Sequence, residues 1–259
     1  MNETVQVLGP WIAFVLGAVV GSFANVCIHR LPRGESILHP PSHCPHCREP
    51  IRWQDNIPIL SYVWLRGRCR ECGERISPRY AAVELITALL FTVLWFNAGG
   101  EAGAFLMQAA FVTALVIGTG IDLEHRLLPD AVTLPLLAIG LASSLPAGGL
   151  SPLRSVTGML AGGGGMYLVA EVGDRVYRQP TMGGGDIKLA AALGAWLGWR
   201  LLIVALFAAF LLGAVIGTVY MVAGGREKTV PFGPFLAAGA ILALVAGPSI
   251  WNWYTGFLG

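Results

Sequence analysis

The stretch TMGGGDIKL, Thr181 to Leu189, runs three consecutive glycines into an aspartate and then into an apolar helix. Gly183, Gly184 and Gly185 carry no side chain and can take positive φ, so another backbone or a peptide can approach closely there. From Ile187 to Trp199 the only charge is Lys188, which puts Asp186 at the mouth of a membrane-type segment. One reading of Asp186 is a helix N-cap, for which aspartate is among the best residues. The other is a functional carboxylate, and the rest of the chain has to decide between them.

Working outward, 55% of the residues are hydrophobic and 12% are charged, against about 25% charged in a soluble domain. Mean hydropathy is +0.65. These values exclude an ordinary soluble enzyme and define an all-α polytopic membrane protein. Apolar stretches fall at about Trp11 to Ile28, Ala81 to Phe96, Ala102 to Ile121, Ala131 to Leu145, Ser155 to Val172, Ile187 to Trp199, Leu201 to Ala223 and Phe232 to Trp253. They predict about eight transmembrane helices, the fourth and sixth short. Met1 to Gly9 has no Lys or Arg, and no small-residue cleavage site follows the first apolar run, so that segment is expected to stay.

Positive charge orients the chain. With an external N-terminus, the cytoplasmic side carries Arg30, Arg33, the six further arginines from Arg48 to Arg75, Arg79, Arg126, Arg175, Arg178, Lys188, Arg226 and Lys228; Arg154 and Arg200 fall outside. Asp186 then faces the cytoplasm. Trp251, Trp253 and Tyr254 read as an external aromatic anchor or as lipid-facing packing. Membrane lipid is the expected surroundings, and no nucleic acid partner is expected.

The soluble piece is the first cytoplasmic loop, Arg30 to Tyr80, with Cys44-Pro-His-Cys47 and Cys69-Arg-Glu-Cys72. Two CxxC pairs about twenty residues apart match a zinc ribbon, because four thiolates close a tetrahedral structural site. A cytosolic loop is reducing, which disfavours disulfides. The loop is too short to bury a core of its own, so metal would supply folding energy. His39, His43 and His46 lie near the first knuckle as alternative ligands or surface residues, and Cys27 reads as a small buried apolar residue. The expected organisation is 1–29 first helix, 30–80 zinc-binding domain and 81–259 membrane-embedded domain.

The second carboxylate lies at the end of the third segment, where Ala114-Leu-Val-Ile-Gly-Thr-Gly-Ile121 leads into Asp122. An aspartate at a helix C-terminus opposes the dipole, so capping does not explain it. Asp130, before the fourth segment, reads as an N-cap; Glu124 and Asp174 read as solvated loop charges. Asp122 and Asp186 would face the same membrane surface, where one keeps a proton while the other acts as a base toward water. Structural alternatives are a charge pair with Arg126 or Lys188, or a proton relay in a transporter.

At this point the chain resembles the bacterial type IV prepilin peptidases, bifunctional aspartyl leader peptidases and N-methyltransferases. The resemblance is carried by Gly21-Ser-Phe-Ala-Asn-Val26, Arg30-Leu-Pro32, His43-Cys-Pro-His-Cys47, Asn56-Ile-Pro58, Arg66-Gly-Arg-Cys-Arg-Glu-Cys72, Ile76-Ser-Pro-Arg-Tyr80 with Glu84, Asp122 with Leu128-Pro-Asp130, and Gly183-Gly-Gly-Asp186-Ile-Lys188. Ala81 departs from the proline expected after Tyr80. The resemblance implies an inner-membrane enzyme that cleaves the basic leader of pilin-like precursors after a glycine. It also implies methylation of the new N-terminal residue from S-adenosylmethionine, with Asp122 and Asp186 as the catalytic pair. Lys188 is available to hold the site or to meet lipid headgroups. No GxGxxG in a βαβ unit is present, so no Rossmann-type donor site is visible. Gly162 to Gly165 read as helix-packing residues. A proton-coupled transporter and a zinc-dependent scaffold are the rival classes; a transporter would tend to show matched internal repeats, and no convincing pair of halves is visible.

Overall fold

A computed structural model of the chain describes residues 3–145, 150–223 and 230–258. Arg226 and Lys228 of the charge pattern lie outside the described residues. Among the described residues there are eight α-helices and no named strand: α1 Glu3–Arg30, α2 Leu60–Trp64, α3 Pro78–Asn97, α4 Ala102–His125, α5 Asp130–Ala142, α6 Pro152–Tyr177, α7 Gly184–Val222 and α8 Gly233–Leu258. Five of them, α1, α3, α4, α7 and α8, are long and apolar enough to cross a membrane. The chain is a helical multi-pass membrane protein. It forms two compact units, Met1–Ile117 and Gly118–Gly259.

In the first unit α1 packs along α3. Gly9, Ala13, Gly17 and Gly21 recur every four residues and make one smooth ridge on α1. A Cβ at Gly17 would stand 2.7 Å from the Ala88 Cα, and one at Gly21 2.8 Å from the Glu84 Cα, so the two backbones touch. Phe105 of α4 closes the far end, edge-on to Phe91 and Trp95. Between Leu31 and Ser77 only Cys44 and Gly67 are buried. This long loop hardly contributes to the apolar core.

In the second unit α7 touches α5, α6 and α8. Its buried face is mostly small, with Ala190, Ala192, Gly194, Ala195, Ala205 and Ala209. Gly158 and Gly194 face each other, and a methyl on either would run into the other's carbonyl. Gly162 sits against Ala190 and Gly163 near Ala191, as the packing reading expects, whereas nothing lies within 4 Å of a Cβ at Gly164 or Gly165. The buried Ser155 hydroxyl donates to the Ala195 carbonyl at 2.8 Å, and Trp196 Nε1 donates to the Leu136 carbonyl at 2.7 Å. The backbone leaves the helical region inside α7 at Gly198, with φ 68° and ψ 166°. Glycine permits that break, and the apolar pattern also divides there.

Candidate active site

Asp122 lies in the last turn of α4 and is 5% exposed. Its Oδ2 accepts the N–H of Gly233, the first residue of α8, at 2.9 Å. Glycine is needed there: a Cβ would sit 2.7 Å from the carboxylate oxygen. Asp186 is half-buried on the first turn of α7, and its N–H donates to the Gly183 carbonyl at 3.1 Å. The charge of Asp122 is within electrostatic reach of Asp186. The two carboxylates singled out from the sequence, 64 positions apart (186 − 122), therefore share one locality in the second unit.

Leu128 explains how they come together. A Cβ at Gly185 would stand 2.8 Å from the Leu128 Cβ, one at Gly118 3.3 Å from its Cδ2, and one at Gly233 3.3 Å from its Cδ1. One isobutyl group thus packs against the backbones of α4, α7 and α8 at the level of both aspartates. Of the three glycines before Asp186, Gly185 serves this close approach, whereas nothing lies within 4 Å of a Cβ at Gly184. None of Gly183 to Gly185 takes positive φ, and Gly183 is the N-cap of α7 at φ −73°. Asp186 is accordingly not the cap, and the capping explanation for it falls away.

Three neighbouring charges differ from their sequence reading. Asp130 is not the N-cap of α5: Pro129 is, and the Asp130 carboxylate, one residue inside, meets Lys188 Nζ at 2.5 Å. That pair ties the start of α5 to the start of α7 and gives Lys188 its place. Both groups are about half exposed, so the pair orients more than it stabilises. Asp174 is a solvated charge but not a loop residue: it lies within α6 and accepts from the Thr181 N–H at 2.7 Å and the Thr181 hydroxyl at 2.8 Å. It pins the segment that leads into Gly183. Glu124 lies 3.9 Å from His125.

In the first unit the four cysteines Cys44, Cys47, Cys69 and Cys72 place their sulfurs within 4.8 Å of one another. The Cys44 and Cys72 sulfurs are 3.9 Å apart, close to the ~3.8 Å edge of a tetrahedron built on ~2.3 Å Zn–S bonds. The two knuckles are built alike. Cys44 N–H donates to Glu49 and Cys69 N–H to Glu74, while Arg48 N–H returns to Cys44 and Gly73 N–H to Cys69. Antiparallel bridges His43 to Pro50 and Arg68 to Arg75 close them. The residue that turns each knuckle has positive φ, 71° at Gly73 and 60° at Arg48. The thiols share charge unevenly. Burial raises Cys44, but the backbone N–H groups of Cys47 and His46 and the adjacent thiols outweigh it and bring it to about 7. At Cys47 the Glu49 backbone hydrogen bond pulls down, yet desolvation and the other three thiols carry it up to about 12. A soft four-thiol donor set that cannot ionise together without a cation fits zinc. His39, His43 and His46 stand outside the cluster, His43 Nδ1 lying 3.1 Å from the Pro41 carbonyl. Ion pairs of Arg70 with Asp55 and Arg52 with Glu71 link the stretches around the knuckles; the Arg70 guanidinium holds the Asp55 carboxyl below the usual carboxylate range.

A helical membrane protein with two carboxylates gathered at helix ends, and a four-thiol cluster on a separate loop, is a narrow class. Residues 15–98 match the bacterial peptidase A24 N-terminal domain, and residues 109–218 match the type IV leader peptidase family. The chain is 41% identical over 284 aligned positions to a prepilin leader peptidase/N-methyltransferase of Aeromonas hydrophila, 96% of each chain being covered. It is 39% identical to one of Neisseria gonorrhoeae and 36% to one of Legionella pneumophila, again with 96% of each chain covered. No solved structure matches it. The chain belongs to the type IV leader peptidase family. The transporter alternative finds no support in these matches.

Two residues escaped the sequence reading. Gly233 had a signal in the Gly-Pro pair that opens the last apolar run, since proline is favoured in a first helical turn. Asn25 had one too, as a lone amide inside an apolar segment.

Proposed function

We propose that this protein removes the leader peptide of prepilins and pilin-like precursors after glycine, and methylates the new N-terminal amine, at the cytoplasmic face of the bacterial inner membrane. The observation that carries the reading is the gathering of Asp122 and Asp186 around Leu128, from helix ends far apart in sequence. One carboxyl, protonated, polarises the scissile carbonyl; the other, ionised, takes a proton from the attacking water. Burial of Asp122 and the Gly233 N–H fix one member of the pair, and the Asp174 to Thr181 bonds fix the approach to the other.

Cys44, Cys47, Cys69 and Cys72 would hold a structural zinc that folds the loop and takes no part in peptide hydrolysis. S-adenosylmethionine would supply an electrophilic methyl carbon to the freed amine. Three functional parts follow: 1–29 as first helix, 30–80 as zinc domain and 81–259 as peptidase domain. Eight crossings with an external N-terminus fit best. As an unbroken helix the 39 residues of α7 would run about 58 Å, twice the roughly 30 Å of hydrocarbon. The break at Gly198 falls beside Trp199, which Arg200 covers at 5.4 Å and Trp251 meets edge-on. An aromatic and cationic group of this kind suits an external interface. The test is to incubate the purified protein in lipid with a prepilin and labelled S-adenosylmethionine. A product shortened by the leader and heavier by one methyl is expected; an intact precursor refutes the reading.

A further inference from the structure

The loop between α1 and α3 carries one short helix with its sides reversed. In α2 the residues Leu60, Val63 and Trp64 stand at positions i, i+3 and i+4, which share one side of a helix. They are 66%, 68% and 83% exposed. Tyr62, on the other side, faces the cysteine loop: a Cβ at Gly67 would stand 2.9 Å from its hydroxyl oxygen, and that hydroxyl donates to the Ile76 carbonyl at 3.5 Å. A helix folded onto a loop in water turns its apolar side inward. In α2 that side is turned out, which marks a surface with an occupant of its own.

Where α2 is held identifies the occupant. Ile59, the residue before α2, donates its N–H to Glu84 Oε2 at 2.8 Å. Glu84 lies six residues inside α3 (84 − 78), about 9 Å along the axis from its first residue. The backbone of α1 meets Glu84 at Gly21, nine residues before the end of that helix (30 − 21). Both helices are long and apolar enough to cross a membrane, so the start of α2 stands alongside the crossing pair and not beyond its end. Arg79 lies over the Tyr80 ring at 4.9 Å at the start of α3, a cation and aromatic grouping that suits the headgroup layer. Charge agrees with this. Arg66, two residues after α2, is exposed and has no ion pair among the described residues, whereas Arg52 and Arg70 are paired with Glu71 and Asp55. An arginine so placed can lay its stem on apolar surface and its guanidinium among lipid phosphates.

We propose that α2 is an in-plane membrane anchor: Leu60, Val63 and Trp64 enter the boundary between headgroups and acyl chains of the bilayer that α1 and α3 cross, and Arg66 meets the phosphates above them. Interfacial helices bury their apolar side about 5–10 Å into that boundary, a depth comparable with the ~9 Å to which Glu84 draws Ile59 along α3. Five residues are too few to hold a helix in water by themselves, so contact with lipid contributes what the interior of the loop does not. The anchor ties down the middle of the loop, as α1 and α3 tie down its ends, and so lays the cysteine cluster against the membrane surface. It requires only that α1 and α3 cross the membrane, and it stands or falls apart from the peptidase chemistry.

The experiment uses the full zinc-loaded protein in nanodiscs of phosphatidylethanolamine and phosphatidylglycerol, with a phospholipid that carries a photoreactive diazirine near the top of one acyl chain. After illumination, lipid adducts are located by peptide mass spectrometry. Label is expected on the fragment holding residues 60–64, as on α1 and α3, and not on the knuckle fragments 44–49 and 69–74. Label on α3 with none on 60–64 overturns the proposal, and so does label spread evenly over the loop. Val63→Glu removes apolar surface and sets a carboxylate in the boundary, so label on 60–64 should fall about tenfold while label on α3 and zinc content hold. Unchanged label in that variant also overturns the proposal. If the variant loses zinc, the adduct map of the unaltered protein decides by itself. Cross-links from 60–64 to a second copy of the chain or to an added prepilin, in place of lipid, give this side of α2 to a protein and overturn the proposal as well.

Discussion

Between Leu31 and Ser77 two residues are buried, whereas along α7 twelve are, most of them alanine or glycine. The cysteine loop leaves Leu38, Trp53 and Trp64 more than 70% exposed and relies on four thiols, two ion pairs and backbone turns. The seam of α6 with α7 relies on backbones that meet without side chains between them. Each region carries polar groups that have to be held still, and each holds them by what its surroundings allow. In water a short loop cannot bury enough apolar surface, and its four gathered thiols are a set that could hold a closing cation. In lipid, close packing of small residues does the work and a carboxylate can be aimed by a single backbone N–H.

If cleavage belongs to the close-packed unit alone, Asp122→Asn and Asp186→Asn will each lower it by up to about 10⁴-fold with normal accumulation in the membrane. Initial rates of leader removal measure this; near-normal rates in either variant break the assignment. If the loop is held by metal, Cys69→Ser with Cys72→Ser will weaken zinc binding by more than ~100-fold. Product masses should then show cleaved but unmethylated pilin. Loss of cleavage ahead of methylation would erase the division between the two regions.

The third outcome concerns Gly185. Gly185→Val drives side-chain atoms into Leu128 and is expected to cost ~10²-fold in cleavage, the usual penalty for a misplaced catalytic group. Gly163→Ala, 3.1 Å from the Ala191 methyl, should cost far less, and Gly164→Ala nothing measurable. Equal mild losses at all three would reduce the glycines before Asp186 to ordinary packing. The smallest effect separates the two knuckles. Arg48→Gly removes a left-handed non-glycine residue and should stabilise the loop by about 1 kcal/mol, read as tighter zinc binding in a chelator competition. A weaker site would mean that the Arg48 side chain contributes more than its backbone costs.

Much of this architecture could be read before any coordinates, for physical reasons that differ by residue. The apolar segments, the CxxC spacing and the misfit of Asp122 with a helix dipole are local properties. What escaped depends on partners far along the chain. Asp130 looks like a cap because it follows a proline and precedes an apolar run, yet Lys188, 58 residues on, decides where its carboxylate points. The glycines at 183 to 185 advertise unusual φ, but none adopts it, and the need that Gly185 serves is set by Leu128. The orphaned oxygen of Asn25 exists only because Tyr80 claims the other half of the amide.

Leu128 has a consequence for how such a chain can vary. Its side chain is the common neighbour of Gly118, Gly185 and Gly233, so no one of these four positions is free to change by itself. A larger residue at any glycine strains the contact, and a smaller residue at 128 loosens the contacts at Gly118 and Gly233 together while leaving the one at Gly185. A matched pair such as Gly118→Ala with Leu128→Ala, which removes the Cδ2 that the new methyl would meet, should therefore recover part of the loss, whereas Gly185→Ala should not be rescued by Leu128→Ala, because alanine keeps the Cβ and carbonyl it runs into. In the history of the sequence the four positions would behave as a single inherited character.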